Sequence, residues 1–331
     1  EVYHADKCII VPGGGTCAME AVARQFAGGK KCMVLRNGWF SFRWSQIFDL
    51  GRIPNETIVL KATTTADAHQ APFAPAAIDD VISAIQRHKP DLVFAPHVET
   101  ASGIMLPDDY VRAVGKAARE ADALFVLDCI ASGTIWIDMT ALNVDVLISA
   151  PQKGWSASPG AGLVLLNERA IMQLESTTSS SFALDLRKWA DIMAAYESGG
   201  HAYHATMPTD ALVKFHGAMM ETRALGLDRM RNAQLELGRQ VRALLAGRGY
   251  KSVAAAGFEA PGVVVSYTDD PDIHSGAKFA AHGMQIAAGV PLQCDEPDDF
   301  MTFRIGLFGL DKLTNIDRTV SRLADIFRKI N

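Results

Sequence analysis

A chain of 331 residues with 49% hydrophobic and 21% charged content can bury a core large enough for two domains, which excludes disorder as its main state. A formal net charge of -5 supplies no pull toward nucleic acid or an anionic membrane, so the expected partner is a small molecule. Five cysteines at irregular spacings, without a CxxC pair, argue against a zinc site or disulfide framework and for a reducing, cytoplasmic compartment. No apolar run approaches the roughly 18 to 20 residues of a membrane span, and no segment reads as a signal peptide.

Along the chain, short apolar runs at residues 8–11, 32–35, 57–60, 91–94, 124–127, 144–148 and 162–166 alternate with amphipathic stretches such as 17–26, 77–86 and 108–118. Runs without polar alternation suit a mainly parallel sheet covered by helices. The serine and threonine cluster at 176–181 reads as a loop. Residues 209–248 keep helical spacing with a break near Gly226, and strands are predicted at 262–266 and 300–305 before a last helix at 315–330. The chain therefore reads as α/β: a large domain over 1–208, an interdomain helical segment over 209–248 and a smaller α+β domain over 249–331.

Three motifs carry chemistry. Pro12-Gly13-Gly14-Gly15-Thr16 follows the first strand and opens a helix, where bare backbone and the helix N-terminus can receive a phosphate and Thr16 can cap. Alone the glycines also fit a plain structural turn and, next after it, a dinucleotide site, although a full GxGxxG is missing. Asp128 ends an apolar strand, the place where open α/β sheets bind ligands. Lys153, in Ser149-Ala150-Pro151-Gln152-Lys153-Gly154, lies past another strand end among small and apolar residues, so a partly desolvated amine there can form a Schiff base. An anion-binding turn, a carboxylate and a lysine together are what pyridoxal 5'-phosphate requires: a phosphate site, a partner for the pyridine nitrogen and an amine for the aldehyde.

The segments GGGTCAMEA (13–21), NGWF (37–40), HVETASG (97–103), DCIAS (128–132), SAPQK (149–153), YHATMP (203–208) and RIGL (304–307) run in order through nearly the whole chain. In them the sequence resembles the class V, fold type I pyridoxal phosphate aminotransferases, specifically the alanine-glyoxylate and serine-pyruvate group. The resemblance implies that Lys153 links to the cofactor and that Asp128 pairs with its ring nitrogen. It also implies that Gly14, Gly15, Thr16 and Gln152 meet the phosphate, that Phe40 stacks on the ring with Trp39 as the alternative, and that Ser102 brings a hydroxyl nearby. Tyr203 and Thr206 match residues reaching the phosphate in a neighbouring subunit, so a homodimer with shared sites is implied. Arg304 sits in an apolar strand where a guanidinium needs an anion, either an internal carboxylate or, as in the family, the substrate's α-carboxylate.

The implied reaction is transfer of an amino group from a small amino acid to a small 2-oxo acid of the pyruvate or glyoxylate type by a ping-pong mechanism. A lyase or desulfurase on the same cofactor, or a nicotinamide-dependent dehydrogenase built on the glycine turn, are the alternatives. The sequence departs from the group in lacking a counterpart of its N-terminal arm and in carrying Ala205 and a bulky Trp155, both expected near the substrate side.

Overall fold

The computed structural model describes residues 1–330. Seven strands form the central sheet: β1 (Lys7–Gly13), β2 (Lys31–Arg36), β3 (Glu56–Lys61), β4 (Leu92–Pro96), β5 (Leu124–Asp128), β6 (Val146–Ser149) and β7 (Gly160–Leu166). Their spatial order is β1-β7-β6-β5-β4-β2-β3. Every pair from β6 across to β3 is parallel, whereas β7 runs antiparallel to both of its neighbours. Side-chain alternation splits each strand between two cores. Phe125, Leu127 and Leu147 pack on one face of the sheet, and Leu124, Val126 and Ile148 on the other. Because both faces are buried, the strands read as unbroken apolar runs.

Helices α1 (Gly15–Phe26), α2 (Trp39–Gly51), α3 (Ile78–His88), α4 (Asp108–Glu120), α5 (Glu168–Ser176) and α6 (Leu186–Glu197) cover the sheet. Val81 and Ile85 of α3 and Val111 and Val114 of α4 join the Phe125 side. Met19 and Val22 of α1, Trp44 and Phe48 of α2, Leu174 of α5 and Trp189 of α6 join the other. Parallel strands demand such crossovers, which is why the helices fall between them in sequence. The first helix begins at Gly15 with Gly14 as its extended N-cap, so Thr16 lies inside the first turn and does not cap. Helix α6, which the sequence reading did not anticipate, is started by Asp185, whose carboxylate accepts from the amides of Arg187 and Lys188.

Beyond it, α7 (Thr209–Leu225) and α8 (Leu227–Ala246) are separate helices. Gly226 divides them at φ 94°, a backbone setting that side-chain-bearing residues rarely adopt. Strands β8 (Val263–Tyr267), β9 (Ala287–Ala288) and β10 (Thr302–Gly306) form an antiparallel sheet in the order β8-β10-β9. Phe303 and Ile305 of β10 pack with Leu237 and Val241 of α8 and with Leu323 and Phe327 of α9 (Ile316–Ile330). A further cluster, containing Ala101, Ala131, Val265 and Leu292, closes the seam between this C-terminal portion and the large sheet. No helix among the described residues is long and apolar enough to cross a membrane.

Asp145, just ahead of β6, ties this sheet together from within. It is 1% exposed and accepts from the Phe125 amide at 2.9 Å, Asn167 Nδ2 at 2.8 Å and Arg169 Nη1 at 2.9 Å. Removing such a carboxylate strands buried donors and a half-buried guanidinium, so Asp145→Ala should lower the unfolding free energy by about 3 kcal/mol in urea titrations. A loss within about 0.5 kcal/mol, the size of an ordinary surface change, would contradict this account.

Candidate active site

Parallel register brings the two central residues of the site to the same end of the sheet. In the β5–β6 pair Ile148 lies beside Asp128, so the turn that leaves β6 and carries Gln152 and Lys153 emerges over the carboxylate end of β5. Gly154 holds that turn down. A Cβ at this position would stand 1.9 Å from the carbonyl oxygen of Gly133, so only glycine allows the two backbones to meet. Trp155 then plugs into the core, 3% exposed, its ring 4.7 Å from Trp136 and 6.1 Å from Phe215. Its bulk therefore anchors the lysine turn from below. The expectation that Trp155 lies on the substrate side is overturned, because the apolar pocket formed by Tyr3, Trp136 and Phe215 accepts its indole.

A cavity of about 210 Å³ opens where these elements converge. Gly15 and Thr16 of α1, Phe40 and Arg43 of α2, Asp128, Gln152 and Lys153 line it, with Met19, Val98, Thr100, Ile130 and Ala131 filling the apolar walls. The N-terminus of α1 reaches it with no side-chain cap and no acidic residue in its first turn. Its unpaired amides and positive dipole end thus remain available to an anion. Among the described residues, Gln152 Oε1 is buried without a hydrogen-bond partner, and of the two Asp128 oxygens only Oδ1 accepts, from the Ile130 amide at 2.9 Å. Anion donors at one end, an unsaturated buried carboxylate and a primary amine fit what pyridoxal phosphate asks of its site.

The electrostatics follow from burial. Desolvation pushes Asp128 up to about 7, with the Glu99 charge adding to it while the Ile130 hydrogen bond and Arg43 oppose it. Burial lowers Lys153 below the ordinary lysine range, and the nearby Arg304 charge lowers it further. The amine lies 5.2 Å from the Phe308 ring centroid. His97, 1% exposed with Nδ1 2.7 Å from Ser132 Oγ, is driven down to about 4 by desolvation and is neutral near pH 7.

The other residues singled out in the sequence divide into three groups. Gly14 is the N-cap of α1, next to the cavity wall, and Phe40 lines the wall while Trp39 packs against Phe42 at 5.7 Å. Arg304 approaches from β10: its Nε donates to Ala288 O at 2.8 Å, its guanidinium carbon is 5.6 Å from the Phe40 centroid, and no carboxylate forms an ion pair with it among the described residues. Ser102 does not line the cavity, because its hydroxyl is committed to the Asn37 carbonyl at 2.7 Å, where it secures the approach to α2. Tyr203 and Thr206 are exposed on the surface and also lie outside the lining, and Ala205 packs against the Leu174 and Trp189 side of the core.

Two residues went unread in the sequence. Glu99, fully buried, accepts from the Phe40 amide at 3.3 Å, the Ser41 amide at 2.8 Å, Ser41 Oγ at 2.8 Å and the Ala101 amide at 3.0 Å. It thereby caps α2 from a distant segment and fixes the backbone of Phe40. Arg43 is the other, and its only sequence signal is helical spacing of three from Phe40.

The family description "Aminotransferase class-V" matches residues 1–264. A 2-aminoethylphosphonate–pyruvate transaminase from Paraburkholderia phymatum is 27% identical over 98% of this chain and 86% of its own length. An L-aspartate–glyoxylate aminotransferase from Paracoccus denitrificans is 25% identical over 75% and 60%, respectively. Among solved structures, a ureidoglycine–glyoxylate aminotransferase from Bacillus subtilis superposes with a TM-score of 0.80 at 20% identity, covering 100% of this chain and 82% of that one. With the sheet order, the strand-end pair and the family match in agreement, the chain belongs to the class V aminotransferases, pyridoxal phosphate enzymes of fold type I.

Proposed function

We propose that this enzyme transfers an amino group from a small amino donor to pyruvate or glyoxylate, with pyridoxal phosphate held between α1, β5 and the Lys153 turn. One observation carries the reading: a desolvated amine, a buried carboxylate and an uncapped helix N-terminus meet in a single cavity. The three similar proteins named above carry pyruvate or glyoxylate in their names, which supports that acceptor class. The cofactor, when bound, supplies an aldehyde for amines and an electron-withdrawing ring for the charge left by a departing proton.

In this reading the α1 amides at Gly14 and Gly15, the Thr16 hydroxyl and the Gln152 amide hold the phosphate, and Phe40 provides the apolar face against the ring. Asp128 keeps a proton on the ring nitrogen. Burial raises its affinity for protons, and a cation beside it would favour the charged form. Lys153 Nζ would hold the cofactor's aldehyde and, as a free amine, would take a proton from the donor's α-carbon in one half-reaction and give one to the acceptor's α-carbon in the other; its depressed proton affinity suits both tasks. Arg304, lacking an internal carboxylate, takes the substrate's α-carboxylate through its planar fork. Ser102 acts by positioning, through Asn37 and the start of α2.

A desulfurase reading would need a mobile, ionisable thiol over the site. Cys294 is 4% exposed, its Sγ lies 3.4 Å from Arg36 O, and burial pushes it up to about 12. Among the described residues no cysteine lines the cavity, which favours transamination. We place the enzyme in a reducing, cytoplasmic compartment on the irregular spacing of its five cysteines.

We also infer a homodimer with shared sites. Tyr203, 79% exposed, and Thr206 serve no contact with their own cavity, and Phe182 beside them is 77% exposed, its ring 4.7 Å from that of His204. Val213 and Met220, seven residues apart on α7, add an exposed apolar stripe. A second copy covering this edge would bring Tyr203 and Thr206 to its own phosphate site.

Three outcomes are expected. Borohydride reduction of the loaded protein followed by peptide mapping should place the pyridoxyl group on Lys153, and a label on another lysine would refute the assignment. Between about pH 4 and 7 the folded cofactor-free chain holds an Asp128 proton that the unfolded chain, with its group near 3.8, has released, so this residue's contribution to stability falls as pH rises. Against Asp128→Asn, the wild-type protein should lose on the order of 3 kcal/mol across that range; parallel stability curves would show that Asp128 titrates normally. Finally, mixing inactive Lys153→Ala with an inactive Tyr203→Phe/Thr206→Ala variant should restore activity in hybrid dimers, because one complete site then forms from two chains. Hybrids that form and stay inactive would rule out shared sites.

A further inference from the structure

Arg43 has no carboxylate partner among the described residues, yet it stands in the wall of the cavity. Its Nη1 donates to Thr16 Oγ1 at 3.0 Å, and its guanidinium carbon lies 5.1 Å from the centroid of Phe40, three residues earlier on the same helix. Helical side chains lean toward the N-terminus of their helix, which carries the Arg43 head back past Phe40 toward the first turn of α1. Arg304 lies 5.6 Å from the same ring and contacts the main chain of Thr100 and Ala288 instead. Two guanidinium groups therefore approach one aromatic ring, and they differ in what they touch: Arg43 is bonded to Thr16 in the first turn of α1 and Arg304 to the main chain at Thr100 and Ala288.

We infer that Arg43 is a phosphate-binding residue, the charged member of an anion site otherwise made of the α1 amides and the Thr16 hydroxyl. A phosphate monoester near pH 7 carries close to two negative charges and three strong acceptor oxygens. Backbone amides and a hydroxyl offer hydrogen bonds but no full charge. The half-buried guanidinium supplies one, in a planar fork that can keep its bond to Thr16 through one N–H and direct others to phosphate oxygens. The Phe40 face restrains the guanidinium in place, so its arrangement is set before the anion arrives. The same helical turn thus supplies both the ring that covers the cofactor and the cation that holds its phosphate. This inference rests on the cofactor site proposed above.

The test compares pyridoxal phosphate with pyridoxal, which has the same ring and aldehyde without the phosphate. Dissociation constants are measured on cofactor-free wild-type protein, Arg43→Gln and Arg43→Lys, with folding checked by circular dichroism and inorganic phosphate added as a competitor. Arg43→Gln should weaken pyridoxal phosphate about 10- to 100-fold, the scale of a lost charge-assisted hydrogen bond, leave pyridoxal unchanged and lessen competition by phosphate. Arg43→Lys should fall between. Equal weakening of both ligands would overturn the proposal, since Arg43 would then act only by supporting Phe40. Unchanged binding of both would overturn it as well. Failure of the underlying site reading looks different: wild-type protein would then show no preference for the phosphorylated ligand and no borohydride label on Lys153.

Discussion

The parallel pairing of β5 with β6 is the constraint on which the site depends. Once Ile148 is hydrogen-bonded in register beside Asp128, the carboxylate and the turn bearing Lys153 are delivered to one end of the sheet. No long-range side-chain contact is needed to bring them together. The same end of β1 feeds the glycine turn into α1, so an amine, a carboxylate and a helix N-terminus converge as a result of topology alone. Contacts from beneath then sharpen the arrangement. Gly154 meets the Gly133 carbonyl, and the aromatic group around Trp155 fills the space under the turn.

Charge in this region is arranged with little direct pairing. Asp128 and Glu99 are buried carboxylates, while Arg43 and Arg304 bring positive charge to the Phe40 ring and Lys153 lies over Phe308. Glu99 spends its oxygens on amides and a hydroxyl at the start of α2, so its charge reaches Arg304 only through space. A site built this way keeps cations ready for anionic ligands, at the expense of leaving them imperfectly compensated by the chain's own carboxylates. Such local disadvantage is common where binding and chemistry occur, and the well-packed sheet on either side can sustain it.

How far the sequence revealed this depended on whether local pattern or distant packing set each feature. The buried strands, the break at Gly226 and the strand-end positions of Asp128 and Lys153 were legible because they follow from apolar runs and glycine. Residues such as Glu99 and Arg43 were not, since their roles come from contacts with segments 58 and 27 positions away. Helix α6 was missed because only Leu186, Trp189 and Ala190 are buried along its length, too brief a stripe to mark a period. Trp155 was misjudged for a related reason: nearness in sequence to Lys153 said nothing of the pocket that Tyr3, Trp136 and Phe215 make far from it in the chain. Thr16 looked like a cap by residue type, but Gly14 already occupies that position in extended backbone.

The aromatic group under the lysine turn has an optical consequence. Trp155 is two residues from Lys153 and its ring lies 4.7 Å from Trp136, so two of the chain's five indoles sit directly beneath the point where a coloured group would be attached. Ultraviolet excitation of that pair would pass energy to any absorber bound on the lysine above, dimming the intrinsic emission of the protein. Trp44 and Trp189 are buried in the core on the opposite face of the sheet. The packing that steadies the turn thus also equips the enzyme with a built-in gauge of its own loading, readable without any added dye.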